Sequence, residues 1–261
     1  MNQYLATAIK AAQAAAAIHR FYAADPDKQV GTKANYADIV TKVDKLSETR
    51  IREVIAAAYP DHAVLGEEQG QRGAGGATHR WIVDPLDGTI NYASGFPFYS
   101  VSIALEVEGR LEVGVVLDSV SGRLFTAVRG EGAQADGAPL SGSGVQRGAS
   151  AVLSTGFNAD EAGITASLPL FEKALRHARG VRRAGSAALD LCMVACGQAD
   201  GFWELTLNPW DVAAGVLIVR EAGGRVTDER GRDFEIEKPL LVASNGLVHD
   251  EMLRVLGFGG G

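Results

Sequence analysis

The stretch Trp81-Ile82-Val83-Asp84-Pro85-Leu86-Asp87-Gly88-Thr89 decides the fold, because it joins a strand, a carboxylate pair and a helix start. The apolar run at its beginning is typical of the end of a buried strand. Proline cannot donate a hydrogen bond to a sheet ladder, so we expect the strand to stop at Pro85. Asp84 and Asp87 should then both face the open end of the sheet.

The residues after Asp87 predict a turn that binds a ligand. Gly88 lets the backbone approach a ligand closely, and the Thr89 side chain can cap a helix that starts near Ile90. The backbone N–H groups that follow Gly88 would then hold the oxygens of a phosphate. Hard oxygen ligands beside such a turn can bind divalent cations next to that phosphate.

The bulk properties are those of an ordinary globular protein with enough length for one large domain or two small ones. The 261 residues are 46% hydrophobic and 22% charged, and the net charge of -7 disfavours a nucleic-acid scaffold. No run reaches the roughly 20 apolar residues that a membrane helix needs. The Ala-rich start, residues 1–24, predicts an amphipathic helix without the features of a signal peptide.

Cys192 and Cys196 are the only cysteines, and they are spaced as neighbours on one face of a helix. Their neighbours are apolar, so we expect them to pack in the core. Two cysteines provide neither a disulfide framework nor a zinc-ligand pattern. A reducing cytoplasm is therefore the expected compartment.

The rest of the chain mixes helices and strands without strict alternation, which favours an α+β fold. The glycine-rich residues 69–78 lack a pattern, and we expect a mobile loop over the site. Helices are predicted at about residues 45–59, 168–178, 187–198 and 210–222, and strands at about 63–66, 100–135 (a β-meander), 151–155, 225–227 and 240–243.

Four carboxylates stand out because each follows an apolar strand or opens a helix: Glu67, Asp84, Asp87 and Asp211. Hard oxygen ligands select Mg²⁺ or Mn²⁺, and the absence of a nearby histidine argues against zinc. The charge of four carboxylates and a phosphate dianion exceeds that of two divalent cations, so we expect two or three ions. Two ions about 4 Å apart can activate a water and stabilise a leaving alkoxide.

Each of these carboxylates also has a simpler interpretation. Glu67 and its neighbour Glu68 would make a solvated pair before a loop, Asp211 an ordinary helix N-cap, and Asp84 with Asp87 a simple turn. The coincidence of all of them in one chain favours the metal site.

The chain resembles the inositol monophosphatase family, the Mg²⁺-dependent, lithium-sensitive sugar phosphatases, over nearly all of its length. The motifs that carry the resemblance are Asp38-Ile39-Val40-Thr41 with Asp44, Gly66-Glu67-Glu68, the stretch from Trp81 to Asn91, Gly185-Ser186-Ala187-Ala188, Trp210-Asp211-Val212-Ala213-Ala214-Gly215 and Glu221-Ala222-Gly223-Gly224. The resemblance implies a layered αβαβα sandwich. It further implies a single domain over residues 1–261, with an α+β half to about 145 and an α/β half from about 146, and a homodimer.

The resemblance also implies a role for individual residues. Glu67, Asp84, Asp87, Asp211 and the carbonyl of Leu86 look like the metal ligands. Thr89 and Asp44 resemble the pair that orients and deprotonates the attacking water, with Glu67 beside a third ion. The substrate-contact positions are Lys33, Asp87, Gly88, Thr89, Ala187, Glu204 and Asp211.

The resemblance thus predicts Mg²⁺-dependent hydrolysis of inositol monophosphate to inositol and phosphate by direct attack of a metal-activated water. The residues after Thr89, Ile90 to Pro97, look like the inositol branch of the family. Related phosphatases for histidinol phosphate, fructose 1,6-bisphosphate or adenosine 3′,5′-bisphosphate are the alternatives within the enzyme class. An RNA- or protein-binding role on a phosphatase scaffold is the alternative from another class.

Overall fold

The computed structural model of the chain describes residues 2–25, 30–32, 39–73, 77–157 and 160–259. Lys33 and Asp38, which the sequence motifs include, lie outside the described residues.

The helices of the described part are largely those that the apolar spacing predicts. They are α1 (Gln3–Tyr22), α2 (Lys42–Ala58), α3 (Thr89–Ser94), α4 (Glu161–His177), α5 (Ala187–Ala195), α6 (Pro209–Glu221) and α7 (His249–Leu256). None of these helices has the length and apolar character needed to cross a membrane.

The strands of the described residues form a two-stranded ribbon and two larger sheets. They are β1 (Gly31–Thr32), β2 (Ile39–Val40), β3 (Ala63–Gly66), β4 (Gly70–Arg72), β5 (His79–Asp87), β6 (Ser100–Val107), β7 (Arg110–Asp118), β8 (Leu124–Val128), β9 (Gly132–Ala135), β10 (Ala138–Pro139), β11 (Val152–Thr155), β12 (Gly180–Arg182), β13 (Gly201–Glu204), β14 (Arg225–Thr227) and β15 (Leu241–Ser244).

The large sheet has eight strands in the order β10-β9-β8-β7-β6-β5-β3-β4, and the small sheet has five in the order β12-β11-β13-β15-β14. Helices α5 and α6 lie between the two sheets, α1 and α2 cover the outer face of the large sheet, and α4 and α7 cover the small one. This is the five-layer αβαβα sandwich of the α+β class that the resemblance implies. The division into halves at about residue 145 stays a prediction.

The prediction that the strand stops at Pro85 is wrong, because β5 continues to Asp87. Asp84 pairs with Ser102 and Asp87 with Ser100, so three steps along β5 face two along β6. The extra residue makes a β-bulge, and a bulge tolerates a proline that cannot donate to the ladder.

Two other predictions also need correction. Residues 69–78 are not all loop, because β4 pairs with β3 in antiparallel fashion. The third helix begins at Thr89 rather than near Ile90, and its N-cap is Gly88 with φ of 98°. A left-handed φ strongly favours glycine, so the backbone conformation rather than a threonine side chain starts this helix.

The start of α2 also differs from the prediction. The helix begins at Lys42 rather than near residue 45, because Thr41 and Asp44 form a capping box. In that motif the N-cap side chain and the third helical residue each accept a backbone N–H of the other. The box places Asp44 in the first turn, where its side chain is buried.

Candidate active site

Asp84 lies in the β5 bulge, where only 2% of its surface is exposed. Its Oδ1 accepts the backbone N–H of Leu86 at 2.9 Å. Within the described residues, Oδ2 of Asp84 accepts no hydrogen bond. The bulge therefore orients the carboxylate through one oxygen and leaves the second oxygen for another ligand.

Asp87 connects the end of β5 to the N-terminus of α5. Its Oδ2 accepts hydrogen bonds from the hydroxyl of Ser186, from the backbone N–H of Ala188 at 2.9 Å and, more weakly, from the hydroxyl of Ser100 at 3.4 Å. Burial raises the pKa of Asp87 to about 6, although the bonds from Ser186 and Ala188 oppose the shift. Asp87 thus connects helix α5, between the two sheets, to the end of the interior strand β5 of the large sheet.

Asp211 occupies the third position of α6, in a capping box with Asn208. Its Oδ2 accepts the backbone N–H of Asn208 at 2.7 Å. Burial raises the pKa of Asp211 to about 8, the bonds from Asn208 oppose the shift, and the charges of Asp87 and Glu67 add to it. The alternative of an ordinary N-cap is wrong, because Asn208 is the N-cap.

The charges of the predicted carboxylates influence the pKa of Asp84. Burial raises the pKa of Asp84 well above its usual range, and the charges of Glu67, Asp87 and Asp211 add to that effect. Among the described residues, no group of three acidic, histidine or cysteine side chains is close enough together to bind one metal ion. The structure therefore places these four carboxylates in one electrostatic environment, in which protons or cations must offset their repulsion.

The turn that carries Glu67 is held by a residue that the sequence analysis missed. Glu48 of α2 is fully buried, and its carboxylate accepts the backbone N–H groups of Glu68 at 2.6 Å and Gln69 at 3.1 Å. Arg52 balances the charge of Glu48 through a bond of 2.8 Å. A Cβ on Gly66 would lie 2.5 Å from the Glu48 carboxyl carbon, so only glycine fits there.

A signal for Glu48 does exist in the sequence. Asp44, Glu48, Ile51 and Ile55 are spaced by four, three and four residues, which places them on one face of a helix. Two carboxylates on the apolar face of an amphipathic helix indicate buried acceptors with assigned partners, since unpaired buried charges are costly.

Thr89 and Asp44 are in direct contact, as the resemblance implies. The Thr89 hydroxyl lies 2.9 Å from Oδ1 of Asp44 and 3.0 Å from the carbonyl oxygen of Leu86. The other oxygen of Asp44 accepts the backbone N–H and the hydroxyl of Thr41, at 2.8 and 2.6 Å. Burial raises the pKa of Asp44, and the bonds from Thr41 and Thr89 oppose the shift. The arrangement can pass a proton from the threonine hydroxyl to a carboxylate.

Glu204 and Ala187 are the predicted contacts of the alcohol part of a substrate. Ala187 begins α5, directly after the Ser186 that binds Asp87. Glu204 ends β13 and is 9% exposed. Burial raises its pKa well above the usual range, the charge of Asp211 adds to the effect, and Arg183 opposes it.

The Glu204 carboxyl has a defined neighbour but no hydrogen-bond partner among the described residues. Gly156 lies directly against it, and a Cβ there would collide with the carboxyl group. Glu204 is therefore positioned by packing, and its oxygens are available to hydroxyl groups of a ligand.

Comparisons with known proteins agree with this architecture. A family model described as the inositol monophosphatase family matches residues 1–256. "Nus factor SuhB" of Pasteurella multocida is 43% identical over 256 residues, which cover 97% of this chain and 96% of the relative.

Solved structures superpose over most of the chain. The extragenic suppressor protein suhB from Bartonella henselae has a TM-score of 0.94 at 36% identity and covers 98% of both chains. The inositol monophosphatase from Anabaena sp. PCC 7120 has a TM-score of 0.87 at 37% identity, covering 98% of this chain and 95% of its own. An IMPase/NADP phosphatase complexed with Mg²⁺ and phosphate has a TM-score of 0.78 at 28% identity, with 89% and 87% covered.

Proposed function

This chain belongs to the inositol monophosphatase family, and from that premise we propose that it is a Mg²⁺-dependent phosphatase that hydrolyses an inositol monophosphate to inositol and phosphate. The observation that carries the proposal is the group formed by Asp84 and Asp87 at the end of β5 and Asp211 at the start of α6. Burial raises the pKa of all three, and neighbouring carboxylate charges add to the rise at Asp84 and Asp211. Burial of such a group is costly unless cations bind there.

The donor set fits magnesium. Glu67, Asp84, Asp87, Asp211 and the carbonyl of Leu86 offer only hard oxygen atoms, which Mg²⁺ prefers. Each of the three aspartates accepts hydrogen bonds through one carboxylate oxygen, which fixes its orientation. The second oxygen of each takes no part in those bonds. When bound there, two or three Mg²⁺ ions would supply Lewis-acid stabilisation of the phosphate and a lowered pKa of the attacking water.

The residues of the chain contribute positioning and proton transfer. Thr89 accepts the proton of the attacking water while it donates its own hydroxyl proton to Asp44, whose second oxygen is held by Thr41. Backbone N–H groups after Gly88 bind the phosphate oxygens. Ala187 and Glu204 contact the inositol ring, and Glu204 accepts hydrogen bonds from its hydroxyls. The family resemblance also implies a substrate contact for Lys33, which lies outside the described residues.

The test is release of phosphate by the purified protein. We expect turnover of inositol 1-phosphate with Mg²⁺, loss of turnover with EDTA, and inhibition by lithium at high Mg²⁺. Histidinol phosphate, fructose 1,6-bisphosphate and adenosine 3′,5′-bisphosphate should be poorer substrates. A higher kcat/KM for any of these three would overturn inositol monophosphate as the substrate, and a rate unaffected by EDTA would overturn the magnesium mechanism.

A second candidate function follows from the relatives named Nus factor SuhB, because that name describes a factor rather than an enzyme. The chain would then act through a protein or RNA partner. The net charge of -7 disfavours direct RNA binding. Fluorescence anisotropy with a labelled single-stranded RNA at 150 mM salt tests direct RNA binding. A submicromolar dissociation constant would favour the second candidate function.

We propose that the protein works in the cytoplasm as a homodimer. Support for the compartment comes from the two cysteines, which are not disulfide-bonded, and support for the dimer comes from the family resemblance. Sedimentation equilibrium at micromolar concentration tests the dimer, and a mass near 27.4 kDa would contradict it.

A further inference from the structure

A polar cavity lies away from the candidate active site, at the opposite ends of β5 and α6. It has a volume of about 570 Å³, within the range of small-molecule sites. Four arginines line it, each from a different element or turn: Arg80, Arg110, Arg129 and Arg220. Three glutamates also line it: Glu106, Glu235 and Glu237. Leu111, Phe234 and Ile236 supply apolar wall.

The distance between the cavity and the candidate active site can be calculated along β5 and α6, because each of these elements contributes residues to both. Arg80 and Asp84 are four residues apart on β5, or about 13 Å at strand rise. Arg220 and Asp211 are nine residues apart on α6, or about 14 Å at helix rise. The arginine cavity is therefore a separate site, although the same two elements reach both.

The arginines of this cavity differ in how their charge is balanced. Arg80 is paired with Glu106 and Glu237, each at 2.7 Å, and Arg129 is paired with Glu112. Within the described residues, Arg110 forms neither a hydrogen bond nor an ion pair through its side chain. Two of the four guanidinium groups are thus already neutralised by carboxylates of the protein.

Arg220 is the most informative of the four. Its only hydrogen bond in the described part of the chain goes to the carbonyl oxygen of Phe234, at 3.0 Å. Burial lowers the pKa of Arg220, the charge of Asp233 opposes this shift, and Arg129 adds to it. A half-buried guanidinium without a contacting carboxylate, close to a second arginine, is a position that an anion would stabilise.

We propose that this cavity binds a small phosphorylated molecule, with its phosphate oxygens between Arg220 and Arg110 and its organic part against Phe234 and Ile236. Guanidinium groups match phosphate geometry through paired N–H donors. The volume accommodates a ligand up to about the size of a mononucleotide. The site is independent of the phosphatase proposal, because it uses none of the candidate catalytic residues.

The test is isothermal titration of the metal-free protein with inorganic pyrophosphate in EDTA at pH 7.5 and constant ionic strength. Under these conditions the candidate active site lacks the cations that are proposed to bind phosphate there, and loss of binding in the arginine variants assigns the binding to the arginine cavity. We expect one site per chain. Arg220→Gln should weaken binding roughly tenfold, because it removes charge-assisted hydrogen bonds, and Arg110→Gln should weaken it in the same direction.

Arg176→Gln is the matched control, since Arg176 is an exposed arginine that pairs with Glu172 on α4. It should leave pyrophosphate affinity unchanged. Arg110 is exposed on a hairpin, so its variant keeps the test valid if Arg220→Gln does not fold. Absence of binding up to about 10 mM, which is ten times a dissociation constant of about 1 mM, would overturn the proposal. Equal affinity in Arg110→Gln and Arg176→Gln would do the same.

Discussion

The imidazole of His19 lies 3.0 Å from the carbonyl oxygen of Pro85, the proline inside the β5 bulge. A carbonyl only accepts, so Nε2 of His19 carries the proton, and Nδ1 accepts from the Ser119 hydroxyl at 2.8 Å. His19 is fully buried. A neutral histidine from the N-terminal helix therefore anchors the β5 bulge that carries Asp84.

We expect His19→Leu to lower the free energy of unfolding by about 2 to 4 kcal/mol at pH 7.5, because it leaves the Pro85 carbonyl and the Ser119 hydroxyl without a partner. Urea unfolding measures the change. His177→Leu is the control, because His177 lies on the exposed face of α4 near its end. An equal decrease in the free energy of unfolding in both variants would contradict the anchoring role of His19.

The pH dependence of the His19 variant is also predicted. Burial lowers the pKa of His19 to about 3, the bond to Pro85 opposes the shift, and the charge of Arg20 adds to it. This stabilisation is fully present above the unfolded value of 6.5 and is lost as the pH falls towards 3. The difference in the free energy of unfolding between wild type and His19→Leu should therefore become smaller as the pH falls from 7 to 4. A difference that does not change with pH would contradict the assignment of a neutral buried ring.

Part of the site follows from local sequence rules. The order strand, carboxylate, glycine, helix identifies Asp84, Asp87 and Thr89, because each step is a short-range preference of the backbone. Asp44 and Asp211 both occupy the third position of a capping box, which is again a local motif.

Other features depend on contacts between distant segments. Helical spacing marks Glu48 as a buried acceptor, but no local pattern predicts which groups it contacts. The bulge at Pro85 arises from the register against β6. The anchors His19 and Glu48 reach their partners across 66 and 20 residues of chain. Their burial depends on how helices pack on the large sheet, which is a tertiary property.

Asp84→Asn should abolish Mg²⁺-dependent turnover while the fold survives. The asparagine Oδ1 still accepts the Leu86 N–H. The second carboxylate oxygen, which is the proposed metal ligand, is replaced by an amide NH2 group. In EDTA at pH 8, the variant should be more stable than wild type by about 1 to 3 kcal/mol, because asparagine removes a carboxyl group whose pKa is raised by burial and by neighbouring carboxylates. Steady-state kinetics and thermal unfolding measure the two effects.

The control for Asp84→Asn is Asp61→Asn, which changes an exposed aspartate outside the carboxylate group. It should alter neither turnover nor metal-free stability. An Asp84→Asn enzyme with a near-normal rate would refute the proposed magnesium ligands, whatever its stability.

The metal-free protein should become less stable as the pH rises. The folded-state pKa values of Asp87 and Asp211, about 6 and about 8, lie above their ordinary value of 3.8. Groups raised in this way contribute stability that is complete below pH 3.8 and is lost as the pH rises through about 6 and then about 8. Urea unfolding in EDTA at pH 5.5, 7 and 8.5 should show the decline.

With magnesium bound, the protein should no longer lose stability as the pH rises. Binding at pH 7 should release protons, because the carboxylates must ionise to act as ligands. Titration calorimetry in two buffers of different ionisation enthalpy counts the protons. Zero proton release at pH 7 would show that the carboxylates are already ionised in the metal-free protein.

Thr89→Ala should lower kcat by roughly a hundredfold or more, which is the usual contribution of proton transfer by a positioned side chain. Thr89→Ser keeps the hydroxyl that contacts Asp44 and the Leu86 carbonyl, and should retain most of the rate. Steady-state kinetics with inositol 1-phosphate measures both variants. Equal rates for alanine and serine would exclude a role for the hydroxyl.

Glu204 should determine which alcohol the enzyme accepts rather than how fast phosphate is transferred. Its carboxyl has no hydrogen-bond partner among the described residues and lies against Gly156, which makes it an acceptor for substrate hydroxyls. We expect Glu204→Leu to lower kcat/KM for inositol 1-phosphate roughly a hundredfold, because the hydroxyls lose their partner. Glu204→Gln, which can still form hydrogen bonds, should lose only a few-fold. For p-nitrophenyl phosphate, which has no ring hydroxyls, both variants should keep a kcat/KM close to that of wild type. An equal loss of kcat/KM on both substrates would indicate that Glu204 acts on the phosphate group instead.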